Sequence, residues 1–294
     1  MNPSAGYLAE TQMKNFAIVA ALTLAATTFA AGDSARQAKL AIAPGGVVTI
    51  SNNAGSVVLH QGAQRQVLVN IVTHSDKVEV DTSSTPDGKR VDVRTHTVAQ
   101  QKPSSDECRV EFDVTVPAGD SVSISTATAP ITVETVGGDL SLSSDTGTMT
   151  VKNAANSYLE VRGVAAPVIL SNITGHVQVT SSGGAVQLTS VTGPKVTIST
   201  TSGNISYQGD FSGGGSYLLT THSGAIDVVL PATASVDLTA RSVKGSVEND
   251  YPLQTKPHMT FVPLEGRSFA GTSNSGSSSV ELQSFSGRIR VKKQ

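Results

Sequence analysis

Residues 177–198 read Val177-Gln178-Val179-Thr180-Ser181-Ser182-Gly183-Gly184-Ala185-Val186-Gln187-Leu188-Thr189-Ser190-Val191-Thr192-Gly193-Pro194-Lys195-Val196-Thr197-Ile198. Three triplets of apolar, polar, apolar residues recur here, begun by Val177, Val186 and Val196, and turns rich in Ser, Thr and Gly separate them. Successive side chains of a strand point to opposite faces, so the outer two residues of each triplet share one face and the middle residue takes the other. Val177, Val179, Val186, Leu188, Val196 and Ile198 are expected in a core, with Gln178, Gln187 and Thr197 facing water.

The same unit extends both ways, from Ile131-Thr132-Val133, Leu140-Ser141-Leu142, Met149-Thr150-Val151, Leu159-Glu160-Val161 and Val168-Ile169-Leu170 to Ile205-Ser206-Tyr207, Tyr217-Leu218-Leu219, Ile226-Asp227-Val228 and Val236-Asp237-Leu238. It returns at Val280-Glu281-Leu282 and Ile289-Arg290-Val291, with Ile169 and Leu218 the apolar exceptions among the middle residues. The turns carry a slower rhythm. Ser/Thr-rich turns ending in Gly, such as Thr200-Thr201-Ser202-Gly203 and Thr221-His222-Ser223-Gly224, alternate with turns that place Val136, Ile173, Val191 or Phe211 shortly before a Gly. A short period with one buried side predicts an all-β fold, a β-solenoid (β-helix) with about two strands per coil of roughly 18–21 residues. One corner is expected to be filled by Val, Ile or Phe and the other to be polar, with Gly supplying positive φ. Seven coils at ~4.8 Å would make a rod of roughly 34 Å.

Ahead of the repeat, residues 31–128 are strand-rich but irregular and read as an N-terminal β capping region, with Thr85-Pro86-Asp87-Gly88 as a hairpin turn. Residues 129–294 form the repeat region, in which the period lapses over 249–274 and prolines deny donors to a ladder. Lys292 and Lys293 follow the last strand, where charge discourages end-to-end pairing. Residues 1–30 read as a signal peptide: Lys14, an apolar Ala-rich run from Phe16 to Thr28, then small residues that place cleavage after Ala30, with Met13 as the expected true start. The run is shorter than a bilayer-crossing helix needs, so no stable membrane span is expected after cleavage.

Composition narrows the function. The chain of 294 residues has a formal net charge of −2, 38% hydrophobic and 4% aromatic residues, and no Trp. Scattered Lys and Arg with few aromatic rings supply neither a phosphate-tracking stripe nor base-stacking platforms, so nucleic acid is excluded as an expected partner. The single cysteine, Cys108, excludes an intramolecular disulfide and reads as a buried small hydrophobe on the strand of Val110 and Phe112. No nucleophile elbow, phosphate-binding Gly loop, His-Glu-x-x-His or EF-hand spacing is present, which implies no cofactor, no resident metal and no catalytic residue. The six histidines are scattered singly and read as solvated.

The export signal, the irregular β leader, the recurring Ser/Thr-x-Gly-x-Val-x-Val units and the closing Ser286-Gly287-Arg288-Ile289-Arg290-Val291 together resemble the bacterial putative-adhesin family, over about residues 45–292. That resemblance implies an envelope or cell-surface β-solenoid and brings no catalytic residues; with the export signal and the polar outward rows, the expectation is a non-enzymatic, adhesin-like scaffold in the periplasm, on the outer cell surface or secreted, that binds a protein or polysaccharide of the cell envelope. One candidate patch emerges from stacking in sequence order. Ser206, Asp227 and Glu248 would occupy successive rungs of one face, and Asp227 beside Glu248 would repel or recruit a cation. The enzymatic rival is a carbohydrate-active β-helix (polysaccharide lyase or hydrolase), but the outward rows are mainly neutral and Glu160 with Arg162 reads as a surface ion pair. Flat-lattice binding by Thr rows is weaker still, because Glu160, Ile169 and Gln187 interrupt them.

Overall fold

The computed structural model describes residues 33–98, 104, 106–211, 214–255 and 264–294; the expected leader and its cleavage point at Ala30 lie outside them. Every regular element among the described residues is a β-strand. The N-terminal part contributes β1 (Ser34–Ala41), β2 (Val47–Asn52), β3 (Ala54–Gly62), β4 (Gln66–Thr73), β5 (Val78–Ser84), β6 (Arg90–Thr97) and β7 (Arg109–Pro117). The regular part contributes β8 (Ser121–Thr126), β9 (Ile131–Glu134), β10 (Leu140–Ser144), β11 (Met149–Gly163), β12 (Val168–Ser181), β13 (Val186–Thr192), β14 (Lys195–Thr200), β15 (Ile205–Gln208), β16 (Ser216–Thr221) and β17 (Ile226–Leu230). The C-terminal part contributes β18 (Val236–Ser242), β19 (Val247–Asn249), β20 (Gln254–Thr255), β21 (Ser268–Thr272), β22 (Ser278–Ser284) and β23 (Ile289–Lys293).

In the regular part the strands pair in parallel with the segment one repeat further along the chain, in two columns. One column runs Val122, Leu140, Leu159, Val177, Val196, Tyr217, each in register with the next. The other runs Ile131, Met149, Val168, Val186, Ile205, Ile226. β11 and β12 are long enough to pass through a corner and serve both columns. Because the register is kept, like side chains stack on like: Val177, Val186, Val196 and Ile205 are at most 2% exposed and belong to one continuous hydrophobic core. Ile169 and Leu218, the apolar residues at outward positions, are half-buried.

The spatial order of the layers departs from chain order at both ends. β22 lies between β16 and β18, and β23 between β17 and β19, so the last layer of the sequence is inserted one place inside the stack. At the other end β2 lies between β6 and β8, and β3 between β7 and β9. The region before residue 128 is therefore stack as well as cap: β2, β3, β6 and β7 add two layers, while β4 and β1 on one column and β5 on the other cover the end antiparallel. β21, with β20, covers β18 in the same antiparallel manner, inside the segment where the triplet period lapses. Ten layers result among the described residues, a length of roughly 43 Å at ~4.8 Å per spacing, longer than the seven coils counted from the triplets. Lys292 and Lys293 consequently belong to an inner strand; the edge of that column is the three-residue β19, too short to template a neighbour. Cys108 sits in the turn before β7, half-buried against the core, rather than within the strand.

The two corners obey different chemistry. At the apolar corner Val136, Ala154, Ile173, Val191 and Phe211 stack inward, each no more than 3% exposed. Most of the left-handed residues there are not Gly: Thr135, Asn153, Asn172 and Ser190 have φ between 51° and 54°, and the Asn172 amide donates to Asn153 Oδ1 at 3.0 Å. Tyr207 stacks on Phe211 with centroids 4.0 Å apart and meets Tyr217 edge-on at 6.3 Å. Its hydroxyl donates to the Val191 carbonyl (2.9 Å), and burial pushes its ionisation well above the usual tyrosine range, so it remains a neutral donor.

At the polar corner several turns are closed by a buried hydroxyl, while the β11 layer carries Gly163 at the equivalent position. Thr200 and Ser181 donate to the Gly203 and Gly184 carbonyls (2.7 and 3.1 Å), while the Gly224 and Gly287 amides donate to Thr221 and Ser284 (3.0 and 2.8 Å). Glycine is needed there for space: a Cβ on Gly184, Gly203, Gly224 or Gly287 would overlap the carbonyl oxygen of Ala166, Gly184, Gly203 or Gly224 in the adjoining layer. None of these four has positive φ, which corrects the expected role of Gly at this corner.

Neighbouring glycines give a sharp test. Gly184→Ala should lose about 2–3 kcal/mol in urea unfolding, whereas Gly183→Ala, whose Cβ would meet nothing closer than Ser202 Oγ at 3.7 Å, should stay within about 0.5 kcal/mol of the parent. Amide exchange tests the interleaved end: Val280, Leu282, Ile289 and Val291 should exchange as slowly as Val196 and Ile198, and terminal fraying of β22 and β23 would contradict the order of the layers.

Candidate functional site

The surface is made by the middle residues of the triplets and by the corners. On the column of β15, β17, β23 and β19 the outward row reads Ser206, Asp227, Arg290, Glu248. Asp227 and Glu248 are thus not on adjoining rungs, because insertion of β23 puts Arg290 between them. The guanidinium donates from Nε to Asp227 Oδ1 at 2.8 Å, with Nη2 at 2.7 Å from the same oxygen. A fixed cation already serves the carboxylate expected to recruit one. Glu160 and Arg162 form the ion pair that their shared parity implied.

Chain folding also brings carboxylates to histidines that are isolated in sequence. His74 lies 3.1 Å from Asp33 and 3.2 Å from Glu111, His96 lies 3.1 Å from Asp81 and 3.5 Å from Glu79, and His60 lies 3.8 Å from Asp113. These contacts, at the N-terminal end, give three of the histidines read as solvated a carboxylate neighbour that their isolation in sequence did not show. Among the described residues no three His, Cys, Asp or Glu side chains gather as metal ligands.

The feature that sequence reasoning missed is a groove of about 510 Å3 beside the polar corner, where β14, β16, β22 and β18 run side by side. Its floor is the outward row Ser199, Thr220, Gln283, Arg241, in register rung by rung. Its wall is the turn position that follows each buried hydroxyl. The ladder continues through that position, with the amides of His222, Phe285 and Val243 donating to the carbonyls of Thr200, Thr221 and Ser284 at 3.2, 3.2 and 3.0 Å. Where earlier turns carry Ser182 and Thr201, these layers therefore stack His222, Phe285 and Val243. The imidazole lies parallel to the Phe285 ring (4.8 Å between centroids, 8° between planes), and Lys244 Nζ stands 4.9 Å from the ring centroid. Phe285 remains 38% exposed and Val243 46%. The groove lining holds Arg241 and His222 and no carboxylate. A sequence signal existed, since Gln283-Ser284-Phe285-Ser286-Gly287 is the Ser/Thr-Gly turn with an aromatic ring substituted, but its meaning depended on which turns lie beside it.

Replacing the guanidinium tests the charged row. Arg290→Gln should cost about 0.5–1 kcal/mol at neutral pH and low salt, and the loss should shrink as NaCl is raised, because the pair is partly exposed and screened.

Among the described residues no helix is long and apolar enough to cross a membrane. A comparison with curated protein sequences finds no match. Among solved structures, similar chains include a putative cell adhesion protein from Clostridium sporogenes (13% identity, TM-score 0.30, covering 89% of this chain and 100% of that one). A putative adhesin from Bacteroides fragilis is 10% identical, with TM-score 0.41 and coverage of 89% and 97%. Another from Parabacteroides merdae is 10% identical, with TM-score 0.39 and coverage of 88% and 96%. A family model described as Toastrack DUF4097 matches residues 47–292, which takes in the strands from β2 to β22 and nearly all of β23, so the chain belongs to that family.

Proposed function

We propose that the protein is an exported, non-enzymatic β-solenoid, built of two-strand coils, that serves as an adhesin-like scaffold for a component of the cell envelope or an outer surface. The observation that supports this reading is the register kept within each column of the ladder, with the shift in β11 falling at a corner, which holds rows of Ser, Thr, Gln and charged side chains at fixed spacing along the stack. A rigid array of weak polar contacts gains affinity by engaging many at once, since the conformational entropy of the display is lost on folding rather than on binding. Export follows from the leader at residues 1–30 and fits a surface role.

Catalysis by an extended β face needs two carboxylates placed for acid and base work, or a base beside a charge-neutralising partner. Asp227 and Glu160 are both engaged by arginines, an arrangement suited to a stable surface more than to proton transfer. The mature chain should co-sediment with native envelope fragments and produce no new reducing ends or unsaturated products from a panel of envelope and plant polysaccharides. Turnover of any member of the panel would replace the scaffold reading with the enzymatic one.

A further inference from the structure

Resting on the display reading above, we propose that the groove over β16, β22 and β18 binds a carboxylate-bearing polysaccharide, with a sugar carboxylate at Arg241 and Lys244 and the C–H face of a ring against Phe285 and Val243. Three observations converge on that class of ligand.

The first is electrostatic. Several arginines elsewhere are neutralised locally, as Arg65 is by Asp120 at 3.0 Å, Arg90 by Asp92 at 2.9 Å and Arg290 by Asp227 at 2.7 Å. Arg241 and Lys244 have no ion-pair partner among the described residues, although the chain carries a formal net charge of −2. A third cation, Arg267, stands at the rim, where it donates to the Val243 carbonyl at 3.4 Å. Glu281, two residues before Gln283 of the floor, is engaged by Gln283 Nε2 at 2.5 Å. Three cations gathered around one groove whose lining holds no carboxylate suit it to an anion.

The second is the apolar wall. A bare anion needs no hydrophobic contact, yet this corner replaces the hydroxyl residues of earlier layers with Phe285 and Val243, both substantially exposed. Pyranose rings combine an apolar C–H face with polar edges, and a cationic floor beside an aromatic wall matches both. The third is the spacing. Ser199, Thr220, Gln283 and Arg241 form a straight line of donors and acceptors one rung apart, ~4.8 Å per step, which suits an extended chain of repeated units better than a compact ligand.

Binding of polygalacturonate and of neutral dextran to the mature chain, followed by calorimetry, tests the assignment. Polygalacturonate should bind and weaken as NaCl is raised, and dextran should not bind. The double variant Arg241→Gln/Lys244→Gln should lose roughly tenfold in affinity, the effect of removing charge-assisted contacts. Phe285→Ser, which restores the residue type of earlier turns, should weaken binding with an unchanged melting temperature, and Lys152→Gln on the other column should leave it intact. Equal binding of dextran, undiminished binding by the folded double variant, or displacement by inorganic phosphate but not by free galacturonate would overturn the proposal. A chain that sediments with native envelope yet ignores polygalacturonate also overturns it while leaving the display reading in place; one that binds neither removes both.

Discussion

The stack depends on how closely one turn can lie on the next. In a parallel ladder the layers are held ~4.8 Å apart by their backbone hydrogen bonds, and at the polar corner that spacing leaves room for a hydrogen on Cα but not for a carbon. Gly184, Gly203, Gly224 and Gly287 satisfy this, each beneath a carbonyl that a Cβ would strike. A threonine or serine just before them folds its hydroxyl inward and closes the turn, so a buried polar column is satisfied without water. With both corners turning at the same height, valines and isoleucines fall onto one another in two columns and the core becomes continuous. The apolar corner reaches the same end by another route, accepting left-handed backbone at Asn153 and Asn172 and recovering part of that cost through the amide contact between them.

A parallel stack has two vulnerable ends, each an open ladder attached to a chain terminus that would fray. The protein manages both with the same device. The outermost sequence layers, β2 with β3 and β22 with β23, are drawn inside, and the layers that take the exposed places are closed on the chain side by connections to further strands. Antiparallel strands then cover both columns at the N-terminal end and one at the C-terminal end, and the remaining edge is the short β19, so neither chain end must hold an edge by itself. Because side-chain stacking is shared between adjoining layers, an inserted layer is stabilised from both sides, while a terminal one would be stabilised from one.

This interleaving also sets the chemistry of the surface. On one column it places Arg290 between two acidic residues and neutralises that face. On the other it brings Gln283 and Phe285 between layers that carry Thr220 with His222 and Arg241 with Val243, which assembles an aromatic, cationic groove from three segments distant in sequence. A stiff body with one face charge-balanced and one corner left cationic and apolar has a preferred side for contact, which is what the proposed display role requires. Membership of the Toastrack family fixes the architecture around that side and leaves the ligand to the residues that line it.

Sequence by itself determined the strands of the repeat, their inward and outward faces, the two kinds of corner and the hairpin at Thr85-Pro86-Asp87-Gly88, because each follows from alternation and turn chemistry within a few residues; it did not mark the capping strands β1, β20 and β21. It did not determine the role of the corner glycines, since Gly permits both left-handed backbone and close approach, and only the neighbouring carbonyl distinguishes them. Nor did it determine which layers are neighbours. The triplets of β18 and β22 are nearly equivalent as sequence, Val236-Asp237-Leu238 against Val280-Glu281-Leu282, so either would satisfy the hydrophobic column above β16. The choice lies in long-range packing and in the connections that cap the end, and with it come the pairing of Asp227 with Arg290 and the groove beside Phe285. Local periodicity specifies what a layer is; only the closed three-dimensional stack decides which layer lies on which, because equivalent apolar stripes carry no address.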